Sequence, residues 1–598
     1  MKKKIMVAVL AALLCTGCKM PEISFENANS PLFVQDSKAD SVDASVAEKD
    51  AKDTSGKTDS VSSTAVTPAP TTPAKDTSDA TESAKEPKDT SVADNQKKDD
   101  SSAPADSSVM TDSKADKKDT DSKSEKTEIT GKPAIVVEDP QQLTVKNTCF
   151  YQYGKGNKSA YARYEWLRLD ENAEELCPEL GKALQNEESL VRKDMKAAFD
   201  ELDAASQKAT GKSSSRYSIN RKAYPVRCDN AALSALFITH DDRGTKSDMS
   251  FETINLDSQT GETIALSDIV DLKELPKELT DSYETVYPDD PITDFKKVVT
   301  DLAEDDYVWA LSREGVNCYF ADDSGEQLIT VPVIRNGSKD LFSDSYKEVP
   351  ESYIMPLSEE FPSVFDKSDD GKADTLYLYG NDKGDRITAE LNGEKAVGRF
   401  IFNGFMPYLV RTADEGYYIY VLCSLDNDYE QIAVYDICEE TPVFLGVVSN
   451  TGFMWDNSED DVSMRILPGS PEEFYLSTDI NLLSTYSGVR PYKTGSDGMP
   501  EPLDDWYLVH GDIELTVLTP FVADVINEKT GRVKEEGVDI EEGTKLKIFR
   551  TDAKSIVDLK TEDDEIIRIE VDTVSGGWPQ TIDGTRIEKL FDGIRFAG

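Results

Sequence analysis

The stretch from Asp366 to Asp374 carries the residues whose types and spacing best suit the binding of a metal ion. Asp366, Ser368 and Asp370 occupy alternate positions, Gly371 permits a sharp turn, and Asp374 follows. Carboxylate and hydroxyl oxygens at this spacing are the hard ligands that calcium prefers. We therefore predict a calcium site at Asp366, Ser368, Asp370 and Asp374, and calcium is the one cofactor that the sequence indicates.

This loop resembles the first nine positions of an EF-hand-type calcium loop, with one departure. Tyr377 stands where the bidentate glutamate belongs, so that ligand would have to come from another part of the chain. The alternative is an acidic turn that leads into a strand at Leu376–Leu378 and binds no metal.

Histidine is scarce, and this bears on which enzyme classes fit the chain. The sequence contains two histidines, His240 and His510. Zinc hydrolases and serine-type triads use histidine beside acids or nucleophiles. A glycoside hydrolase needs only a pair of carboxylates, and the sequence contains 115 acidic residues. The sequence thus names no catalytic residue and favours a non-enzymatic protein, with a cell-envelope glycoside hydrolase as the alternative.

Six cysteines lie beyond the first eighteen residues, and their redox state is open. They are Cys149, Cys177, Cys228, Cys318, Cys423 and Cys438. No two of them form a CxxC pair, which argues against a zinc site or a thioredoxin-type motif. Outside the membrane they could form disulfides, whose connectivity the spacing does not determine, whereas an anaerobic host would leave them reduced.

The net charge of the chain is strongly negative, at −49 for 598 residues. Nucleic-acid phosphates would be repelled, which excludes general nucleic-acid binding. The charge also disfavours electrostatic docking onto anionic lipid. A basic protein or a divalent cation is the kind of partner that this charge favours.

The first eighteen residues have the pattern of a bacterial export signal. Lys2–Lys4 precede an apolar run, Ile5–Leu14, that is shorter than the run of about 20 residues a membrane-spanning helix needs. Small residues and Cys18 follow, which resembles the lipobox of bacterial lipoproteins, with Cys15 where that family usually has leucine. The resemblance implies a diacylglycerol group on Cys18. The alternative is a plain secretory signal that contains a cysteine.

These features predict a protein held on the extracellular face of a bacterial cell membrane by the lipid on Cys18. Residues 1–18 are the predicted signal peptide and residues 19–130 a disordered linker, because the segment from Gln35 to Thr130 is rich in Ser, Thr, Asp and Lys and contains no aromatic residue. The tetrapeptide Lys-Asp-Thr-Ser recurs there, at Lys52, Lys75 and Lys88. A long tether on a lipid anchor indicates a thick wall and hence a Gram-positive type of cell.

Hydrophobic periodicity predicts an α+β domain followed by an all-β region. Leu180, Ala183 and Leu184 after Pro178 indicate one short helix. A second stripe indicates another helix and consists of Val191, Met195, Ala198, Phe199 and Leu202. Elsewhere short strands alternate with turn residues.

The predicted domains follow from this pattern. Residues 131–355 form an α+β domain with helices on an antiparallel sheet. Residues 366–498 form an all-β domain and residues 499–598 a small all-β domain, and whether these two are one domain or two is left open.

Short motifs between Thr148 and Val333 carry a resemblance to a known family. They are Pro178–Leu184, Arg227–Asn230, Leu233–Leu236, Phe251–Asp257, Thr260–Gly261, Leu266–Asp268, Trp309–Leu311, Gly315–Val316 and Tyr319–Phe320. In these residues the segment resembles the extracytoplasmic domain shared by RsiV-type anti-sigma factors and PdaC-type peptidoglycan deacetylases. The resemblance implies a binding domain, which senses lysozyme by direct contact in the anti-sigma factors and accompanies a separate catalytic domain in the deacetylases.

The chain departs from both groups, and the departures shape the predicted function. It shows no sigma-binding segment, no histidine-containing deacetylase motif, and Ala321–Gly325 in place of the family's usual loop. We therefore predict a non-enzymatic surface module that binds a protein or cell-wall ligand, with cationic lysozyme as a candidate. A structural surface protein without a dedicated ligand is a further alternative.

Overall fold

The structure is a computed structural model that describes residues 137–154, 160–209, 216–426, 429–459, 462–574 and 577–596. The predicted signal peptide (1–18), its lipid-attachment residue Cys18 and the predicted linker (19–130) lie outside the described residues. Within the described residues, 49% lie in strands and 15% in helices.

The helices are few and mostly short. They are α1 (Glu171–Leu176), α2 (Pro178–Lys208), α3 (Leu266–Ile269), α4 (Leu275–Val286), α5 (Phe295–Thr300) and α6 (Ile587–Leu590), with a 3₁₀ turn at Glu304–Asp306. Helix α2 begins at Pro178 and buries both predicted stripes, including Leu184 and Phe199. The two short helices predicted there are one continuous helix, because no glycine or proline separates the stripes.

The strands run through the whole described part of the chain. The first are β1 (Val145–Tyr153), β2 (Ala160–Leu169), β3 (Arg216–Cys228), β4 (Ala232–Gly244), β5 (Lys246–Asp257), β6 (Val308–Leu311), β7 (Gly315–Ala321), β8 (Leu328–Ile334), β9 (Tyr353–Pro356), β10 (Ser363–Phe365), β11 (Asp374–Gly380) and β12 (Arg386–Leu391). Next come β13 (Glu394–Arg399), β14 (Gly404–Arg411), β15 (Tyr417–Ser424), β16 (Glu430–Asp436), β17 (Val443–Ser449), β18 (Gly452–Phe453), β19 (Trp455–Glu459), β20 (Val462–Leu467), β21 (Phe474–Leu482), β22 (Ser484–Thr494) and β23 (Pro500–Pro502). The last are β24 (Tyr507–His510), β25 (Glu514–Val517), β26 (Phe521–Ile526), β27 (Val533–Ile540), β28 (Lys545–Thr551), β29 (Ile556–Thr561), β30 (Ile566–Glu570), β31 (Asp572–Thr573), β32 (Gln580–Ile582), β33 (Thr585–Arg586) and β34 (Phe591–Asp592).

The first sheet has seven strands in the order β19-β20-β1-β2-β3-β4-β5. Strands β2 and β3 are parallel, which requires a crossover connection, and α1 and α2 provide it. Helix α2 packs on this sheet, where the indole N–H of Trp166 donates to the carbonyl of Leu184 at 3.1 Å. The rings of Trp166 and Phe237 stack beneath it with centroids 5.0 Å apart.

The predicted fold class, an α+β domain followed by an all-β region, is wrong, because the described residues lie mostly in β-strands, with few helices. Strand β1 pairs with β20, which places Val145 opposite Leu467. One hydrophobic core contains Phe150 and Leu184 together with Tyr408 and Tyr420 from the later strands. Local periodicity detects the stripe of a helix but not strand pairing between distant segments. The predicted boundaries (131–355, 366–498, 499–598) stay a prediction.

A smaller layer with its own core positions the groove described below. Strands β6, β7 and β8 form an antiparallel sheet, and α3, α4 and α5 pack on it. The core between them includes Leu275, Leu279, Tyr283, Phe295, Val299, Trp309 and Val331.

The remaining strands build three further sheets and one large one. The orders are β17-β16-β15-β14-β9, then β10-β11-β12-β13, and β31-β32-β33. The large sheet runs β18-β21-β22-β24-β28-β29-β30-β26-β27, with β23, β25 and β34 attached beside this path. The sheets that contain β11 and β15 share a core, to which Leu378, Ile387, Ile419 and Tyr435 belong.

No helix in the described ranges is both long enough and apolar enough to cross a membrane.

Candidate functional site

An open groove of about 660 Å³ lies between α4 and α5, and residues from Thr280 to Asp301 line it. Its volume falls in the range of about 300–1,000 Å³ that is typical of ligand sites. We call it the α4–α5 groove. None of its lining residues was singled out from the sequence.

Aromatic side chains form the floor of the α4–α5 groove. Tyr283 on α4 and Tyr287, the residue that follows α4, lie one helical turn apart and share a face, with ring centroids 5.6 Å apart. The ring of Tyr283 stacks on Phe295 of α5 with centroids 3.9 Å apart. Phe295 in turn contacts Phe320 edge-on at 5.0 Å. The floor is thus fixed by packing from two helices and a strand.

The turn between the two helices is held in place by hydrogen bonds to Tyr283. The hydroxyl of Tyr283 accepts the N–H of Ile292 at 2.7 Å and donates to Asp290 Oδ1 at 3.0 Å. Burial raises the pKa of Tyr283 to about 12, so the hydroxyl stays protonated. Asp290 and Asp294 have φ of 50° and 56°, a left-handed conformation that aspartate tolerates better than most residues.

A second anchor for this turn comes from the loop between β7 and β8. The carboxylate of Asp323 accepts the hydroxyl of Thr293 at 2.5 Å and its N–H at 3.2 Å. Hydrogen bonds within the chain therefore hold the groove in shape.

The rim of the α4–α5 groove is acidic. Four exposed carboxylates line it, from Glu284, Asp290, Asp294 and Asp301, against two ammonium groups, from Lys296 and Lys297. None of the four carboxylates forms an ion pair with another of the described residues. The acidic rim suits a cationic side chain, which carboxylates attract. The ring that such a cation can contact is that of half-buried Tyr287, because Tyr283 and Phe295 are almost fully buried.

The predicted calcium loop is closed by its own hydrogen bonds. Asp366 is 2% exposed, and its carboxylate accepts the N–H groups of Asp370 at 3.1 Å and Gly371 at 2.8 Å. Burial raises the pKa of Asp366. Asp374 accepts the N–H of Lys367 at 2.9 Å and the side-chain amide of Asn392 at 2.6 Å.

Asp370, the most exposed of these acids, is paired with a lysine. Its carboxylate lies 2.7 Å from Lys372 Nζ, and hydrogen bonds from Lys372 and from Ser368 lower its pKa. Across the described ranges, no group of three or more histidine, cysteine or acidic residues is arranged to hold a metal ion. Calcium binding at Asp366, Ser368, Asp370 and Asp374 stays a prediction, and a cation would have to displace Lys372 from Asp370.

Paired carboxylates were the expected sign of the alternative function, glycoside hydrolysis. Burial raises the pKa of two carboxyl groups among the described residues, Glu314 and Asp366. Neither lines the α4–α5 groove.

A cluster of titratable side chains on the first sheet was also missed from the sequence. Lys222 Nζ donates to Glu359 and to Glu360, at 2.5 Å each. His240 Nε2 lies 2.8 Å from Glu360 Oε2, and the hydroxyl of Tyr224 donates to Glu359 at 3.3 Å. We call these five residues the Lys222 cluster. It fastens the segment before β10 to β3 and β4, and the adjacent pair Glu359 and Glu360 is the one signal that the sequence carries for it.

The six cysteines beyond the predicted signal peptide carry free thiols, and five of them are buried.

Comparison with known proteins gives a distant likeness only. No protein-family model matches the chain, and no curated protein matches it. Two similar solved structures are DUF3298 family proteins. One is from Bacteroides fragilis, with 9% identity, a TM-score of 0.24, and coverage of 35% of this chain and 93% of that chain. The other is from Pseudomonas aeruginosa, with 10% identity, a TM-score of 0.26, and coverage of 34% of this chain and 96% of that chain.

Proposed function

We propose that this chain is a lipid-anchored surface protein of a bacterial cell that binds a cationic protein in the α4–α5 groove. The observation that carries the proposal is the groove itself, with Tyr283, Tyr287 and Phe295 as its floor. Four carboxylates on its rim form no ion pair with the other described residues. The net charge of −49 supports it, because a negative surface speeds the approach of a positive partner. The anchor at Cys18 rests on the sequence alone.

Lysozyme is the cationic protein that we propose as ligand. The support comes from the sequence motifs between Thr148 and Val333, which resemble a domain that senses lysozyme in other bacterial proteins. The α4–α5 groove lies within that stretch. A lysine or arginine side chain of lysozyme would enter the groove between Glu284 on α4 and Asp301 at the end of α5.

The test is the binding of lysozyme to the full chain, measured by isothermal titration calorimetry at low and at physiological salt. Wild type should bind saturably in both. Glu284→Lys combined with Asp301→Lys should weaken binding on the order of tenfold, since each reversal replaces an attraction of about 0.5 kcal/mol by a repulsion. Neither side chain forms a hydrogen bond with another described residue. These changes should therefore leave the groove folded.

The matched control is Glu562→Lys with Asp563→Lys, which makes the same change of net charge on an exposed turn between β29 and β30. This control should bind as wild type does. Equal weakening by both double variants would mean that only the overall charge matters and that the groove is not the site. Absence of saturable binding at physiological salt would reject lysozyme as the ligand.

A further inference from the structure

Arg313 lies at the tip of the hairpin between β6 and β7, and its side chain points into the protein. The hairpin is closed by a hydrogen bond from the N–H of Ser312 to the carbonyl of Gly315 at 2.9 Å. Arg313 is 8% exposed. Its guanidinium carbon lies 3.7 Å from the centre of the Tyr353 ring, so it is held between the hairpin and β9.

The guanidinium of Arg313 uses little of its hydrogen-bonding capacity. Nη2 donates to Gln142 Oε1 at 2.6 Å. Nε and Nη1 are buried and have no acceptor among the described residues, although a guanidinium carries five N–H groups in all. No carboxylate of the described chain lies within ion-pair distance of it, and burial lowers its pKa. An unpaired buried charge of this kind is costly.

A small cavity lies beside Arg313. Its volume is about 10 Å³, which is room for about one water molecule or one monoatomic ion. Its wall includes Arg227, Arg313 and Gln142, with apolar side chains such as Leu143 and Ile354, and it includes no aspartate or glutamate. The charged side chains that line the cavity are thus all positive, although the chain as a whole has a net charge of −49.

The second arginine of the cavity is already neutralised. Arg227 Nε donates to Asp229 at 2.8 Å, and its other nitrogens donate to the carbonyls of Tyr346 at 2.7 Å and Glu348 at 2.9 Å. Asp229 also accepts the N–H groups of Ala231 and Ala232 at 2.9 and 3.0 Å. The oxygens of Asp229 therefore already accept hydrogen bonds from other groups, and Arg313 is the arginine of the cavity that has no direct carboxylate partner among the described residues.

We propose that this cavity is an internal anion site that holds one chloride-sized ion against Nε and Nη1 of Arg313. A water molecule would also fit and would accept hydrogen bonds from Arg313. It would leave the buried charge balanced only by Asp229 and Glu314, which lie beyond ion-pair distance. A monoatomic anion would both accept hydrogen bonds from these N–H groups and neutralise the charge of the guanidinium. The bound ion would fasten the β6–β7 hairpin to β3 and β9, since residues of all three line the cavity.

The first test is the melting temperature of the full chain as chloride replaces gluconate at constant ionic strength. Gluconate is too large for a cavity of this size. Chloride should raise the melting temperature of wild type by about 2 °C or more. Arg313→Met should abolish the rise, because it removes the guanidinium and keeps an unbranched apolar side chain in its place.

The matched control is Arg335→Met. Arg335 is a half-buried arginine, which stacks 4.6 Å from Phe342 and donates to backbone carbonyls. It does not line the cavity. This variant should keep the full chloride effect. Wild type that shows no chloride effect, or an effect that survives Arg313→Met, would overturn the proposal.

A second test does not depend on the folding of Arg313→Met. Crystals of the full wild-type chain grown in bromide should show an anomalous peak in the cavity, within hydrogen-bond distance of Arg313 Nε or Nη1. A water molecule there, without anomalous signal, would overturn the anion site.

Discussion

His240 Nε2 lies 2.8 Å from Glu360 Oε2, and this contact joins β4 of the first sheet to the segment that leads into β10. The other oxygen of the same carboxylate accepts a hydrogen bond from Lys222 on β3 at 2.5 Å. Glu360 thus receives donors from two neighbouring strands. The Lys222 cluster is the place where a change of pH should act on the fold.

Acidification should weaken the Lys222 cluster. Burial raises the pKa of Glu360, but the hydrogen bond from His240 and the charge of Lys222 outweigh it and lower the pKa to about 2. An unfolded glutamate has a pKa of about 4.3, so Glu360 stabilises the fold above that pH and the contribution is lost as the pH falls towards about 2. Between about pH 5 and about pH 3, the melting temperature of wild type should fall by about 2 °C more than that of Glu360→Gln.

A suitable control for this prediction is Glu394→Gln at the start of β13, where the glutamate is exposed. It should show the same pH dependence as wild type. The explanation would be wrong if Glu360→Gln lost as much stability on acidification as wild type does.

The buried ion pair of Arg227 and Asp229 should be among the most sensitive positions of the fold. Both side chains are fully buried, with Nε and Oδ2 at 2.8 Å. Removal of one partner leaves the other charge buried and unpaired, which typically costs about 3–5 kcal/mol. Asp229→Ala should therefore lower the melting temperature strongly, whereas Asp248→Ala, in an exposed pair with Lys246, should change stability by less than about 0.5 kcal/mol. Differential scanning calorimetry of both variants checks this, and similar melting temperatures would contradict it.

Features that depend on residues close in sequence could be predicted from the sequence. Pro178 marks the start of α2, and Leu184 and Phe199 lie on its buried face. Single strands such as β12 show an alternation of buried and half-buried residues. These patterns reflect the periods of helix and strand, which the order of residues carries directly.

Features that depend on distant pairing could not be predicted. Nothing near Val145 indicates that it pairs with Leu467 in the first sheet, and this pairing joins two segments that were predicted to lie in different domains. The α4–α5 groove could not be predicted for a similar reason. Tyr283 and Phe295 belong to different helices, and their rings stack only after folding. Tyrosines at helical spacing are more often core residues than ligand contacts, so the pattern alone carried no functional signal.

The anchor can be tested independently of the structure. If Cys18 carries lipid, the chain expressed in a Gram-positive host should incorporate labelled palmitate and sediment with the membrane fraction. Cys18→Ala should lose both properties, because the thiol is the attachment point and a diacyl group is what makes anchoring stable. Cys15→Ala is the matched control and should retain the label. Equal labelling of the two variants would show that Cys18 is not the attachment site.

Calcium binding to the loop that begins at Asp366 would bring a cation into competition with Lys372. Asp370 is the acid to change, since its carboxylate is exposed and contacts Lys372 at 2.7 Å, whereas loss of Asp366 would break the turn itself. If the loop binds calcium, wild type should take it up with the millimolar affinity of extracellular modules, and Asp370→Asn should bind about tenfold more weakly in isothermal titration calorimetry. Asp382→Asn, on the neighbouring turn between β11 and β12, should bind as wild type does. If calcium binds neither wild type nor Asp370→Asn, the loop has a structural role only. The alternating acids would then serve to hold the turn that precedes β11 through their hydrogen bonds.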